Sequence, residues 1–270
     1  MVEPSIILFK LNILVLVCVL AKSLKINMMP IVMYSTNKVT IMNKRHPQNH
    51  NLTLHTASQW QSNPLLPRAT PYIGEYLASI ESVINDAVNE HPRSIAIRCD
   101  LRFPIDYNVD GTSTPISKFI ASLKAQMQSA DQAKHRANMR VHPCTLRYVW
   151  VREWSNARLW HYHVVLFLNK DRFFTLGRFK SDPDEMAEQI NLSDRIQKAW
   201  ASALSISLSY AIGLVHFPQN PTYFLDCGSS DFGNQYASLY ERLSYFAKEE
   251  TKHYGDGKNN FGCSRSRQRI

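Results

Sequence analysis

Cysteine is scarce and scattered in this sequence. Cys18, Cys99, Cys144, Cys227 and Cys263 are odd in number and form no C-x-x-C pair. That argues against a disulfide framework and a zinc ribbon, and a reducing cytoplasm fits best. There is also no internal repeat and no long low-complexity run. Acidic residues are in deficit: 22 Asp and Glu face 31 Lys and Arg, a formal charge of +9. An excess of this sign favours a polyanionic partner, because phosphate contacts release condensed counterions. The basic residues thicken near the end, at Lys248, Lys252, Lys258, Arg265, Arg267 and Arg269. A solvated terminus explains such a tail as well as a nucleic-acid contact does.

The apolar run at residues 5–21, SIILFKLNILVLVCVLA, lacks what a targeting segment needs. As a membrane span it is short and contains Lys10 and Asn12; as a signal peptide it has no basic stretch before it and no small-x-small site after it. The favoured reading is a start of translation further downstream, at Met42, where the polar stretch MNKRHPQNHN begins. No stable membrane association is expected. Residues 1–65 are assigned to an N-terminal extension, with Pro64, Pro67 and Pro71 marking the passage into a domain over 66–270.

What is present is a core: 44% of residues are hydrophobic and 11% aromatic, enough to exclude wholesale disorder. Ile73, Leu77, Ile80, Val83, Ile84 and Val88 have helical spacing, ended by Pro92; residues 94–101, SIAIRCDL, are rich in strand formers. Pro115 to about Ala130 is a second amphipathic helix. Residues 145–153, TLRYVWVRE, and 159–169, LWHYHVVLFLN, read as the two strands of a hairpin joined at SNAR. A helix is expected from the cap at Ser181-Asp182-Pro183 to about Leu204, short strands at 213–217 and 222–225, and a final helix at 234–251. The order α-β-α-β-β-α-β-β-α predicts an α+β fold, an antiparallel sheet covered by helices.

His161-x-His163 lies within a strand, so both imidazoles emerge on one face, as a metal ion requires. The third alternating histidine of a nucleotide-hydrolysing triad is missing, Val165 standing there. Glu153 joins the pair if the hairpin sets residue 153 opposite 161, which needs an odd-length connection or a bulge. Two nitrogens and a carboxylate oxygen suit Mn²⁺ or Mg²⁺, with zinc as a further choice. Tyr245 and Lys248, three apart on the last helix, form a candidate nucleophile and its cation. Tyr236, Tyr240 and Tyr254 are rivals for the same role, and ordinary core packing is the commoner fate of such tyrosines. Trp150, Trp154 and Trp160 surround the hairpin as candidate stacking platforms for unpaired bases.

These residues carry a resemblance. H-x-H on a strand, with Y-x-x-K on a helix well downstream, resembles the replication-initiator branch of HUH endonucleases. The spacing of Glu153 from His161-x-His163 is similar to the metal site of geminivirus-type initiators. Residues 97–104, IRCDLRFP, sit where that branch keeps its first motif and match it loosely. More narrowly, Asp100-Leu101-Arg102, Trp160-His161-Tyr162-His163, the block LSYFAK at 243–248 with Thr251-Lys252, and NFGCSR at 260–265 resemble the inovirus gene 2 protein family, which includes the YagK/YfjJ C-terminal domain. The resemblance implies a HUH (Rep-like) fold in a protein of bacterial prophage origin. It further implies metal-dependent nicking of single-stranded DNA, or of a hairpin at a replication origin, through a covalent phosphotyrosine, with a host helicase or polymerase as a conceivable partner. The alternative is a non-catalytic, prophage-derived DNA-binding protein.

Overall fold

The computed structural model describes residues 44–265, apart from 106, 108–114, 155–159, 181–183 and 185–189. The apolar run at 5–21, Met42 and the last basic residues, Arg267 and Arg269, lie outside the described residues. Five short strands open the chain: β1 (Lys44–Arg45), β2 (Thr53–His55), β3 (Gln59–Trp60), β4 (Asn63–Pro64) and β5 (Tyr72–Ile73). There follow α1 (Gly74–Glu90), β6 (Arg93–Arg102), α2 (Pro115–Arg136), β7 (Arg147–Trp154), β8 (Trp160–Asn169), α3 (Leu192–Leu204), α4 (Leu208–Ala211), β9 (Val215–His216), β10 (Thr222–Asp226), α5 (Phe232–Ser244) and β11 (Phe261–Cys263). The expected α-β-α-β-β-α-β-β-α order is present, with β1–β5, α4 and β11 in addition.

The main sheet is antiparallel, in the order β10-β6-β8-β7-β11, with β9 also beside β6. β9 and β10 share that edge of β6: β10 pairs with Arg93 to Ile97 and β9 with Asp100 and Leu101. Strand alternation sorts the apolar residues onto two faces. Tyr162, Val164, Leu166 and Leu168 of β8 point to a core closed by Phe119 and Leu123 of α2 and Ile196 and Trp200 of α3. Val165 and Phe167 point the other way, under Leu77, Ile80 and Ile84 of α1 and Leu239 and Leu243 of α5. Each such side chain fully buried contributes about 1.5–3 kcal/mol, which is why helices with one apolar stripe settle on both faces of the sheet. The protein is therefore α+β, as its sequence pattern indicates.

Three boundaries differ from expectation. The helix expected over 181–204 is not continuous: Asp184 is helical, Ile190 and Asn191 are not, and α3 begins at Leu192. Asn191 is extended; its side chain accepts from the Asp194 N–H and its own N–H donates to Asp194 Oδ2, a capping box that starts α3 there. Most of the expected cap at Ser181-Asp182-Pro183-Asp184-Glu185 lies outside the described residues. The last helix stops at Ser244 rather than near Thr251. Residues just ahead of α1 capture its end: the Leu66 N–H donates to Ser244 Oγ, the Glu249 N–H to the Pro71 carbonyl, and Lys248 bridges Tyr72. The described residues belong to one unit, in which 44–65, assigned from the sequence to an N-terminal extension, take part. Leu52 and Leu65 lie in its core and the His46 side chain is fully buried.

Candidate metal centre and nucleophile

The register of the central hairpin decides which side chains meet. Trp154 pairs with Trp160, Glu153 with His161 and Val151 with His163. Five residues, 155–159, separate the paired tryptophans, an odd connection that puts Glu153 on the histidine face. On the other side of β8, Asp100 of β6 lies opposite His163 and Arg102 opposite His161. Further along β8 the same face carries Val165 and Phe167, sealed under helices. At His163 and His161 it leaves the core and lines an open pocket of about 730 Å³.

Ligand atoms of Glu153, His161 and His163 all lie within 4.8 Å of one another. His161 Nε2 is 3.2 Å from His163 Nε2, which is 3.3 Å from Glu153 Oε2. Ligands held at about 2.0–2.2 Å from one small divalent ion sit roughly 3.0–3.4 Å apart, and both distances from His163 Nε2 fall in that range. The His163 Nδ1–H donates to Asp100 Oδ1 at 2.5 Å. A carboxylate on Nδ1 fixes the tautomer that leaves Nε2 free to ligate. Burial alone would lower the His163 pKa, but the hydrogen bonds to Asp100 and Glu153 outweigh it and raise the value above that of an ordinary histidine. Asp100 also faces His216 Nδ1 at 3.4 Å and Arg98 Nη2 at 3.9 Å. Burial would raise its pKa; His163 above all holds it lower.

Glu153 is buried among cations. Lys252 Nζ donates to Oε1 at 2.7 Å, and Lys248 Nζ is 3.7 Å from Oε2. Burial would push this carboxyl up; the His163 hydrogen bond and the two lysines bring it well below the usual carboxylate range.

Tyr245 and Lys248 line the same pocket as the two histidines and Glu153. They do not share an α-helical face as expected. Tyr245 opens a 3₁₀ turn, Tyr245–Ala247, and Lys248 is extended beyond it. In a 3₁₀ turn residues three apart eclipse, so the pair still meets: Lys248 Nζ donates to the Tyr245 hydroxyl at 2.7 Å. The Tyr245 ring lies 5.5 Å from that of His163. Its rivals are occupied elsewhere. Tyr236 donates to Asn85, Tyr240 is fully buried and donates to the Leu77 carbonyl, and Tyr254 packs on His46. Of the three tryptophans, Trp154 and Trp160 line the pocket, whereas Trp150 faces the opposite core against Tyr162.

Sequence reasoning singled out Asp100-Leu101-Arg102 only as a mark of resemblance, and Lys252 as that and as one of the basic residues near the end. The signal available for Asp100 was a charged residue inside an apolar strand. For Lys252 there was none, since a lysine in a basic tail reads as solvated.

The profile of the YagK/YfjJ C-terminal domain matches residues 55–264. The uncharacterized protein YagK of Escherichia coli (strain K12) is 37% identical over 201 residues, 72% of this chain and 93% of that protein. The uncharacterized protein YfjJ of the same strain is 36% identical over 207 residues, 72% of this chain and 95% of that protein. No solved structure matches. The chain belongs to the YagK/YfjJ C-terminal domain family.

Proposed function

We propose that this protein is a metal-dependent endonuclease with a HUH (Rep-like) fold, a prophage or phage-type initiator of rolling-circle replication akin to the inovirus gene 2 proteins. Its substrate is a single DNA strand or hairpin at an origin, in a bacterial cytoplasm, with a host helicase or polymerase extending the product. One observation carries the reading: Tyr245, whose hydroxyl is hydrogen-bonded by Lys248, lines the same pocket as the Glu153, His161 and His163 cluster.

His161 Nε2, His163 Nε2 and Glu153 Oε2 would hold Mn²⁺ or Mg²⁺, which supplies polarisation of the scissile phosphate. Tyr245 Oη attacks phosphorus; the new Oη–P bond replaces the bond from phosphorus to the 3′ oxygen. The phenolic proton ends on the departing oxygen, leaving a free 3′-hydroxyl to prime synthesis and a 5′-phosphotyrosyl enzyme. Lys248 stabilises the negative charge that develops around Oη and the phosphate. Trp154 and Trp160, at the pocket wall, offer faces for unpaired bases, and the +9 charge favours the strand.

The test combines the protein, Mn²⁺ and a labelled single strand carrying its own element's origin. A slow-migrating species should survive denaturing electrophoresis with wild type and vanish with Tyr245→Phe, while DNA binding persists. An adduct formed equally by Tyr245→Phe moves the nucleophile to another tyrosine. Binding with no adduct from any variant leaves the DNA-binding alternative.

A further inference from the structure

Lys252 is a buried cation for which the nicking chemistry has no use. Its side chain is fully buried, does not line the pocket, and gives Glu153 Oε1 a hydrogen bond of 2.7 Å. A buried ammonium is costly unless paired, and Glu153 is its counter-ion. The pairing engages the oxygen of Glu153 that is turned away from the histidines. Oε2 alone is left facing His163 Nε2, at 3.3 Å.

Two consequences follow from electrostatics. The carboxylate is fixed in ligating position with no metal present, because its other oxygen is anchored. A cation entering between Glu153, His161 and His163 meets one carboxylate already offset by two ammonium groups, Lys252 and Lys248. Like charges repel across the low-dielectric interior, so an ammonium fixed beside the carboxylate weakens the site for a cation.

We propose that Lys252 is a positioning residue: it occupies Glu153 Oε1 in place of a metal, confines the carboxylate to one ligating oxygen, and keeps the site's affinity for divalent cations low. The inference rests on the metal site proposed above.

The experiment is calorimetric titration of the full chain with Mn²⁺ at pH 8, on wild type, Lys252→Gln, Lys252→Arg and Glu153→Gln. Lys252→Gln keeps an N–H donor for Oε1 and removes the charge; it should bind Mn²⁺ at least tenfold more tightly, about 1.4 kcal/mol. Lys252→Arg keeps the charge and should bind like wild type. Thermal unfolding gives a second readout: Mn²⁺ should raise the Tm of Lys252→Gln more than that of wild type. If the Gln variant proves too unstable to purify, Lys252→Met refolded with and without Mn²⁺ serves in its place, with folding rescued by the ion as the expected result. Equal or weaker Mn²⁺ binding by a folded neutral variant, beside normal binding by wild type, would overturn the role of Lys252 and leave the metal site standing. Wild type that binds no Mn²⁺, or binds it undiminished after Glu153→Gln, would overturn the metal reading itself.

Discussion

Lys248 Nζ lies 2.7 Å from the Tyr245 hydroxyl and 4.1 Å from the centroid of its ring, so the ammonium folds back over the phenol it serves. This contact survives the end of α5 because the 3₁₀ turn brings residues 245 and 248 into line. Lys248→Ala removes the donor to the Tyr245 hydroxyl and should slow the proposed nicking by about 10²-fold without abolishing it. Single-turnover kinetics on an origin strand check this. An unchanged rate would remove Lys248 from the chemistry.

Asp100 bears on the proposed metal site through His163, whose Nδ1–H it accepts. Asp100→Asn keeps the size of the side chain but loses the anion that orients Nδ1–H. Metal affinity should fall by about 10–100-fold. Mn²⁺ titration by calorimetry measures it, with the circular dichroism spectrum expected to match wild type.

His163 sets a pH dependence. Its pKa in the folded protein is raised, chiefly because the bonds to Asp100 and Glu153 outweigh burial. A cation can take Nε2 only when that nitrogen carries no proton. Mn²⁺ affinity should therefore keep rising as pH climbs past about 6.5, the ordinary histidine value. The metal-free protein runs the opposite way. The stabilisation from protonated His163 is complete below the unfolded-state value and is lost as pH rises through the raised folded value. Affinity that levels off below pH 6.5 would contradict the assignment.

Gly262 of β11 lies opposite Trp150 of β7, and a Cβ built on it would stand 2.4 Å from the indole ring. Only glycine lets the ring lie across this edge strand. Gly262→Ala should force Trp150 or β11 aside and cost about 1–3 kcal/mol, read as a fall in Tm. Neither Trp150 nor any residue of β11 lines the pocket, so metal binding should be less affected than stability.

His46 ties the first strands to the segment after Tyr245. Its Nδ1 accepts from the Gln48 and Asn49 N–H groups, which leaves Nε2–H to donate to Glu249 Oε1 at 3.1 Å. His46→Ala removes a fully buried side chain together with its hydrogen bonds to Gln48, Asn49 and Glu249, and should cost about 1–3 kcal/mol. Thermal unfolding is the check, and no loss of Tm would mean that the N-terminal strands contribute little.

Much of this was legible in the amino-acid sequence because it depends on local periodicity. Alternation along residues 159–169 placed His161 and His163 on one face, and helical spacing at 73–88 and 115–130 marked α1 and α2. The alternation also implied the condition for Glu153: an odd connection after it. Whether that condition held was not a local matter. It was decided by Trp154 pairing with Trp160, and by the two faces of the sheet being buried under different helices, so that a slip of one residue would expose a whole apolar set.

Tertiary structure alone decided the rest. α5 ends at Ser244 where residues 66–72, far away in sequence, hold the Ser244 hydroxyl and the backbone at 248–249. Asp100 reaches His163 because β6 and β8 are neighbours, although 63 residues separate them. Lys252 is a buried counter-ion rather than a solvated tail residue because the chain after α5 folds back over Glu153. Periodicity records which face a residue takes, since that follows from the geometry of its own strand or helix. Ion pairs and hydrogen bonds across 60 to 200 residues depend on which elements become neighbours, and no local pattern encodes that.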